Sequence, residues 1–536
     1  MNGRLSNNLL EKPRALLTAL HQAAVQGANP FERTHNAVQE WIAASRTTAG
    51  NRVHIFALGK AGATMAAGAV AALSEHNIPV AGGVVVVAAA LSSDATAEQG
   101  GALPATLEVR VGDHPVPDIG SLAAADVIAR KVTEVVEGDI VLVLISGGAT
   151  SLCAAPCDEL REALGHAVPA HELLMQLVAT LHQHGLAIHE MNAIRRRLLR
   201  WGAGRLAVAL YEQGAAAISV FAVSDVIGDD PSVIGSGPCS ADPMSDAEFL
   251  AMLDAHNLRG QIPRQLAEAL GLQGHPDDAI QPPAASHSAF AAVNFTIVAR
   301  NRDACLALAE IARELGINDV TVVDEPMTGE AETLGHIIAS IAMRAARESD
   351  GARLIVWGGE PTVSFDMDNR TRASLESDGP LSDTLGISRH GLPPRLFMSP
   401  VDKHHKQGPL GGRMQALALA ASLALQQSAS LAEYDETKRH PYRVYLLAAG
   451  TDGRDGPTDA CGAIVDVYTP VRAREKGRDA IRDLHRLRSY YALKAARALL
   501  VTGPTGTNVM DVVAAYIVPR PPEASVIWYG GAPPIE

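Results

Sequence analysis

Residues 140–151 read IVLVLISGGATS. Six aliphatic residues in a row show no polar alternation, so a strand built from them must be covered on both faces. Parallel strands inside α/β sheets have that character. The strand ends on serine and two glycines, and the spacing predicts a helical turn straight after. Outward from this stretch the same grammar recurs. RVHIFALG (52–59) leads into the alanine-rich KAGATMAAGAVAAL, and VVVVAAA (84–90), LEVRVGD (107–113), AISVFAVSD (217–225), FTIVAR (295–300), VTVVDE (320–325), LIVWGGE (354–360) and RVYLLAAGTDG (443–453) read as further buried strands. Helical patterns fill most intervals, for example Leu122 to Val136 and Met414 to Leu425. The alternation predicts mostly parallel sheets with helices on both faces, an α/β/α architecture.

These strands are too many for one comfortable sheet. The polar, proline-bearing stretch from Gln261 to His287, ending in HPDDAIQPPAASHS, marks the boundary between two α/β domains. The first is placed at 1–275 and the second at 288–536. An irregular segment rich in Asp, Arg, Ser, Pro and His interrupts the second domain as an insertion over 366–407. A chain of 536 residues with 47% hydrophobic content has ample material for such cores, but only 4% is aromatic, so small aliphatic side chains must do the packing. The net charge of −14 argues against an electrostatically driven nucleic-acid binder while leaving room for a locally cationic pocket.

Cys153, Cys157, Cys239, Cys305 and Cys461 are odd in number and irregular in spacing, which favours a reducing compartment and offers no zinc signature. The opening residues lack the pattern of a secretory leader, and the longest apolar stretch, Gly82 to Leu91, is about half of what a membrane span needs. The expectation is a cytoplasmic protein without membrane partners. Its assembly is left open as far as a homodimer.

In open α/β sheets ligands bind beyond the carboxyl ends of the strands, so the residues just after each apolar run are the informative test. Here the strand ends carry Gly59-Lys60-Ala61-Gly62, Gly112-Asp113-His114-Pro115, Ser146 to Ser151, Ser224-Asp225 to Asp230, Gly358-Gly359-Glu360 and Gly450-Thr451-Asp452-Gly453. Six glycine-bearing, polar strand ends point to a cleft enzyme. Ser146, Gly147, Gly148 and Thr150 form a candidate anion cradle for a phosphate or a carboxylate. It is not a Walker A loop, and no strand carries the dinucleotide fingerprint G-x-G-x-x-G with a following acid. Lys60 reads as a cation framed by glycines. Arg413, at the start of a helix, reads as a guanidinium beside a positive dipole end. Asp225, Asp229, Asp230, Asp452, Asp455 and Asp459 are carboxylates from which a magnesium site could draw one or two ligands, the rest capping helices or building turns. Asn192 with Arg195, Arg196 and Arg197 is either a substrate clamp or a solvated helix face, and His114 is either an acid/base group or a turn histidine.

The strings HIFALGKAG, GDHPVPD, LISGGATSL, VSDVIGDDPSVIGSGP, WGGEPTV, GGRMQALALAAS, AAGTDGRDGPTDACGAIVD and VTGPTGTNVMDV resemble the class II glycerate kinases, whose C-terminal domain is called MOFRL and many of whose members are labelled hydroxypyruvate reductases. The resemblance runs from about residue 10 to about 515 outside the insertion. It implies two α/β domains with the active site in the cleft between them, and ATP- and Mg2+-dependent phosphorylation of D-glycerate, usually at O2. The family's functional lysine and arginine correspond to Lys60 and Arg413, and its motif acids to Asp225, Glu360 and Asp452.

On this expectation Lys60 and Arg413 stabilise the moving phosphoryl group. Asp225 or Asp452 holds Mg2+ or orients the acceptor hydroxyl, with Glu360 a further candidate for either role. The Ser146–Thr150 loop, Asn192 and Arg195 bind glycerate carboxylate or nucleotide phosphate. Three features depart from the family pattern: Arg197 where a histidine is common, Met414 and Ala416 where asparagine and glutamate are common, and the insertion itself. They bear on the choice of acceptor or nucleotide more than on the reaction class. The rival readings are an NAD(P)H-dependent hydroxypyruvate reductase, a kinase for a related sugar acid, and a non-catalytic nucleotide-binding regulator.

Overall fold

The computed structural model describes residues 9–45, 47–88, 103–114, 116–164, 170–183, 188–258, 260–270, 272, 280–363, 411–433 and 442–519. They fall into two compact units. Residues 30–299 form one; those up to 29 and from 300 onward form the other. The division differs from the expected 1–275 and 288–536 in two places. Strand β6 (Val293–Ala299) still pairs with the first sheet, so the boundary falls at Ala299/Arg300. Helix α1 (Pro13–Gly27) packs on strands of the later unit, so the first residues belong there despite their place in the chain. The insertion expected at 366–407 lies outside the described residues.

The unit of residues 30–299 is built on β1 (Val53–Leu58), β2 (Val80–Ala88), β3 (Leu107–Gly112), β4 (Ile140–Ile145), β5 (Ala217–Val223) and β6, in the order β3-β2-β1-β4-β5-β6. Every pairing is parallel. Helices α2 (Pro30–Ser45) and α3 (Gly62–Glu75) cover one face, above Ile55, Ala57, Val85, Leu142 and Leu144. Helix α4 (Ile119–Val132) covers the other face, with Phe56, Leu58, Val84, Val86, Val141 and Val143 beneath it. The period-two alternation thus feeds two cores at once, and each aliphatic side chain of β4 contributes about 1.5–3 kcal/mol by leaving water. Helix α5 (Ile188–Leu198) sits in a smaller helical cluster, with Leu177, Leu181, Phe249 and Leu266. Helix α6 (Arg205–Glu212) returns to the α4 face of the sheet.

The other unit contains helices α7 (Asn301–Glu314), α8 (Ala331–Glu348) and α9 (Arg413–Glu433). Its strands are β7 (Asp319–Val322), β8 (Arg353–Gly359), β9 (Tyr442–Gly450), β10 (Gly462–Asp466), β11 (Leu499–Leu500) and β12 (Asp511–Pro519). Their order is β11-β10-β9-β12-β8-β7. α8 and α9 cover one face through Ala339, Ala342, Ala420 and Ala421, so the aromatic-poor composition becomes close helix packing on small residues. α1 and α7 lie on the other face.

The expectation of two α/β units with mostly parallel strands holds, since six of the ten strand pairings among the described residues are parallel. The exceptions all gather in the second sheet, where only β7–β8 is parallel. β12 inserts between β8 and β9 and runs against both. No described helix is long and apolar enough to cross a membrane. All five cysteines are buried and unbridged.

Candidate active site

In the first unit the strand order reverses between β1 and β4, and a doubly wound sheet opens a ligand crevice at such a point. The loops after these two strands are joined by backbone. Lys60 N–H donates to the Gly147 carbonyl at 2.9 Å, and Ala61 N–H donates to Ser146 Oγ at 3.0 Å. Ser146 is buried, so its hydroxyl serves as a latch between the loops as well as a cradle residue. Gly147 cannot be replaced without movement: a Cβ there would stand 1.9 Å from Asp225 Oδ2. At Gly148, with φ +85°, a Cβ would stand 3.0 Å from His114 Cδ2 and 3.1 Å from Lys60 Cγ. Lys60, His114 and Asp225, from three different strand ends, therefore converge on two glycines. Burial and then the charge of Lys60 push His114 down to about 4, so it is a neutral imidazole at physiological pH, with one donor and one acceptor. Thr150 Oγ1 lies 2.9 Å from Ser236 Oγ, which ties the single helical turn Ala149–Leu152 to the Ile234–Ser236 turn.

Asn192 and Arg195 stand half-buried on α5, three residues apart and so on one helix face. Burial lowers the pKa of Arg195. Their neighbours have another task. Arg196 Nη2 meets Asp242 Oδ1 at 2.8 Å, and Arg197 meets Asp242 Oδ2 at 2.9 Å and Asp246 Oδ1 at 2.6 Å. The Arg197 guanidinium also lies 4.3 Å from the Phe249 ring centroid. A solvated face for these two residues is thereby corrected: they are buried because Asp242 neutralises them, and the Arg197 departure belongs to folding contacts.

In the second unit Arg413 opens α9 and is held on two sides. Its Nε donates to Asp511 Oδ2 at 2.6 Å and its Nη2 to Asp511 Oδ1 at 3.4 Å, while Nη1 meets Glu360 Oε1 at 2.8 Å. Burial opposes its charge, but Asp511 and Glu360 outweigh burial and raise its pKa. Glu360 is thus placed on Arg413. Asp452 turns its Oδ1 to the Arg454 N–H at 3.0 Å, and a Cβ at Gly450 would lie 3.2 Å from both Asp452 Oδ1 and Asp511 Oδ1. Asp455, buried, accepts the N–H groups of Met414 (3.1 Å) and Gln415 (2.7 Å) and so caps α9. Burial, with Asp511 nearby, pushes it up to about 7, and burial pushes Asp511 up to about 6 against the pull of Arg413. Asp459 accepts the Tyr490 hydroxyl at 2.8 Å and Asp230 the Ser232 N–H at 2.8 Å, the turn-building work expected of the surplus acids.

Met414 and Ala416 both lie in the apolar core under α9, so these departures repack a helix interior. The residue that sequence reasoning missed is Asp511. Its only signal was an acid opening the apolar run DVVAAYIVP, and its partner Arg413 lies 98 positions away along the chain. Asn301 was missed as well; its Nδ2 donates to the carbonyls of Val509 (2.7 Å) and Asp511 (2.9 Å), fixing the strand start that presents the acid. Among the described residues no three His, Cys, Asp or Glu side chains converge as a ready-made metal cage. The donors that the two clusters do offer are carboxylate oxygens at Asp225 and Asp452, the hard type that Mg2+ accepts alongside phosphate oxygens and water.

Comparison with known proteins gives a similar division. Residues 16–271 match a domain of unknown function, DUF4147, and residues 401–511 match the MOFRL family. The chain is 27% identical to the glycerate 2-kinase of Pyrococcus horikoshii, over 93% of this chain and 96% of that protein. It is 30% identical to a putative hydroxypyruvate reductase of Agrobacterium vitis, over 94% of each. The crystal structure of glycerate kinase from Thermotoga maritima superposes with a TM-score of 0.67 at 27% identity, covering 96% of this chain and all of that one.

Proposed function

The chain belongs to the class II glycerate kinase family, and from that premise we propose that it transfers the γ-phosphoryl group of ATP to O2 of D-glycerate, giving 2-phosphoglycerate. The observation that carries this reading is the convergence of Lys60, His114 and Asp225 on the Gly147–Gly148 cradle at the switch point of the parallel sheet.

Phosphoryl transfer demands alignment and charge neutralisation more than covalent help from the protein. The O2–phosphorus bond forms as the bond from phosphorus to the bridging oxygen breaks, and ADP leaves with that electron pair. Lys60 neutralises the equatorial oxygens of the moving group as a point charge, and Arg413 does so through fixed N–H donors. The backbone of Ser146–Thr150, with Asn192 and Arg195, takes a carboxylate or phosphate oxygen. Asp225 or Asp452 orients the acceptor hydroxyl and receives its proton. The other carboxylate would hold Mg2+, which when bound offsets charge on the β- and γ-phosphate oxygens. A cytoplasmic setting with ATP and glycerate as partners goes with this scheme, and five free, buried thiols suit a reducing compartment.

One observation favours the reductase reading: the order β3-β2-β1-β4-β5-β6 is also that of dinucleotide-binding sheets. Against it, the first βα turn is Gly59-Lys60-Ala61-Gly62, with Ala61 where the fingerprint counted from Gly59 has the glycine that lets the backbone approach the pyrophosphate. A paired assay decides. D-glycerate with Mg-ATP is expected to yield ADP and a product whose phosphorus NMR coupling places the phosphate on C2. NADH oxidation with hydroxypyruvate and no ADP formation would sink the kinase proposal. ADP with a 3-phosphate product would overturn the O2 assignment alone.

A further inference from the structure

Arg413 is gripped by two carboxylates of unlike standing. The Asp511 side chain is 4% exposed and takes two guanidinium donors, while its backbone carbonyl is itself held by Asn301. The Glu360 side chain is 40% exposed and takes one donor, Nη1. With both acids bound, the guanidinium has no net charge to offer an incoming anion, and Asp452 and Asp455 stand nearby. For Arg413 to meet an anion, one partner must let go. Breaking a buried, doubly hydrogen-bonded pair leaves a bare carboxylate out of water, whereas a half-exposed glutamate can turn into solvent.

We infer that Glu360 is a displaceable counter-ion: its carboxylate holds Nη1 of Arg413 until an anionic oxygen of the ligand, phosphate or carboxylate, takes its place, while Asp511 stays bound. Glu360 then works as a competitor built into the site. It keeps Arg413 oriented when the site is empty and raises the threshold for weak anions. This inference deepens the kinase reading and rests on it in one respect, that Arg413 meets an anion.

The test is calorimetric titration of the full chain, at fixed pH and ionic strength, with inorganic tripolyphosphate in one arm and D-glycerate in the other. Glu360→Gln keeps the shape of the side chain and removes the competing charge. It is expected to bind one of the two probes about two- to fivefold tighter than the parent chain, the range a half-exposed ion pair supports. The arm that gains identifies the source of the anion. The gain should vanish in the Arg413→Ala background. Unchanged or weaker binding of both probes by Glu360→Gln, or a gain that persists without Arg413, would overturn the displaceable counter-ion. Arg413→Ala binding both probes as tightly as the parent chain would instead overturn the role of Arg413, and with it this part of the kinase reading.

Discussion

The two strand-end clusters handle charge in opposite ways. At Gly147–Gly148 a lysine and a neutral histidine face a glycine backbone cradle, and the nearby acid, Asp225, presses on a glycine. At Arg413 the cation is already bracketed by Asp511 and Glu360, with a capping acid behind it. The first arrangement comes from a wholly parallel sheet whose loops all leave on one side. The second comes from a mixed sheet in which β12 runs backward and delivers an acid at its start. A net charge of −14 therefore describes neither cluster. Local geometry, set by which strand ends meet, decides where a polyanion can be received.

If the cation at the glycine cradle is the main one in catalysis, removing it should hurt most. Lys60→Ala is expected to lower kcat by about 10²-fold or more, by analogy with loss of a single transition-state donor; steady-state kinetics with D-glycerate and ATP measures it, and near-normal turnover would remove Lys60 from the mechanism. Gly147→Ala comes next. Its methyl group must displace Asp225, and we expect about a tenfold fall in kcat from misalignment. Kinetics beside a melting curve would separate this from a folding defect.

The bracketed cluster should answer to pH. Asp455 rises to about 7 in the folded chain, against the ordinary aspartate value of 3.8. The folded state thus binds this proton more tightly than the unfolded state, so the contribution is full at low pH and is lost as pH rises through about 7. Asp455→Asn should remove that slope, worth roughly 1 kcal/mol between pH 8 and pH 6, as read from urea unfolding at several pH values. An unaltered slope would place the titration elsewhere. The smallest kinetic effect is expected from Arg197→His, which restores the residue common in the family: kcat unchanged, and stability reduced by about 3 kcal/mol through loss of the pairs with Asp242 and Asp246. A fall in kcat at unchanged stability would return Arg197 to the site.

Much of this is legible in the chain itself. Runs of aliphatic residues must be buried on both faces, so β1, β4, β5 and β8 announce themselves, and glycines after them mark the loops that stay open. Lys60, Glu360 and Arg413 stand out in the sequence because each follows a glycine, and Asp225 because it ends an apolar run. Met414, Ala416 and Arg197 look like changes to the site and turn out to lie in an apolar core or in ion pairs, because a motif gives spacing and not the direction in which a side chain points.

Local pattern dictates the class of fold and the set of strand ends, since hydrophobic period and turn chemistry act over a few residues. Only the tertiary structure decided which ends meet. It put α1 with the later unit, ran β12 against its neighbours, set Asp225 and His114 against the same pair of glycines, and closed Asp511 and Glu360 around Arg413. Those contacts join residues far apart in the chain. Their energies depend on burial and charge at the meeting point, which no short stretch of sequence contains.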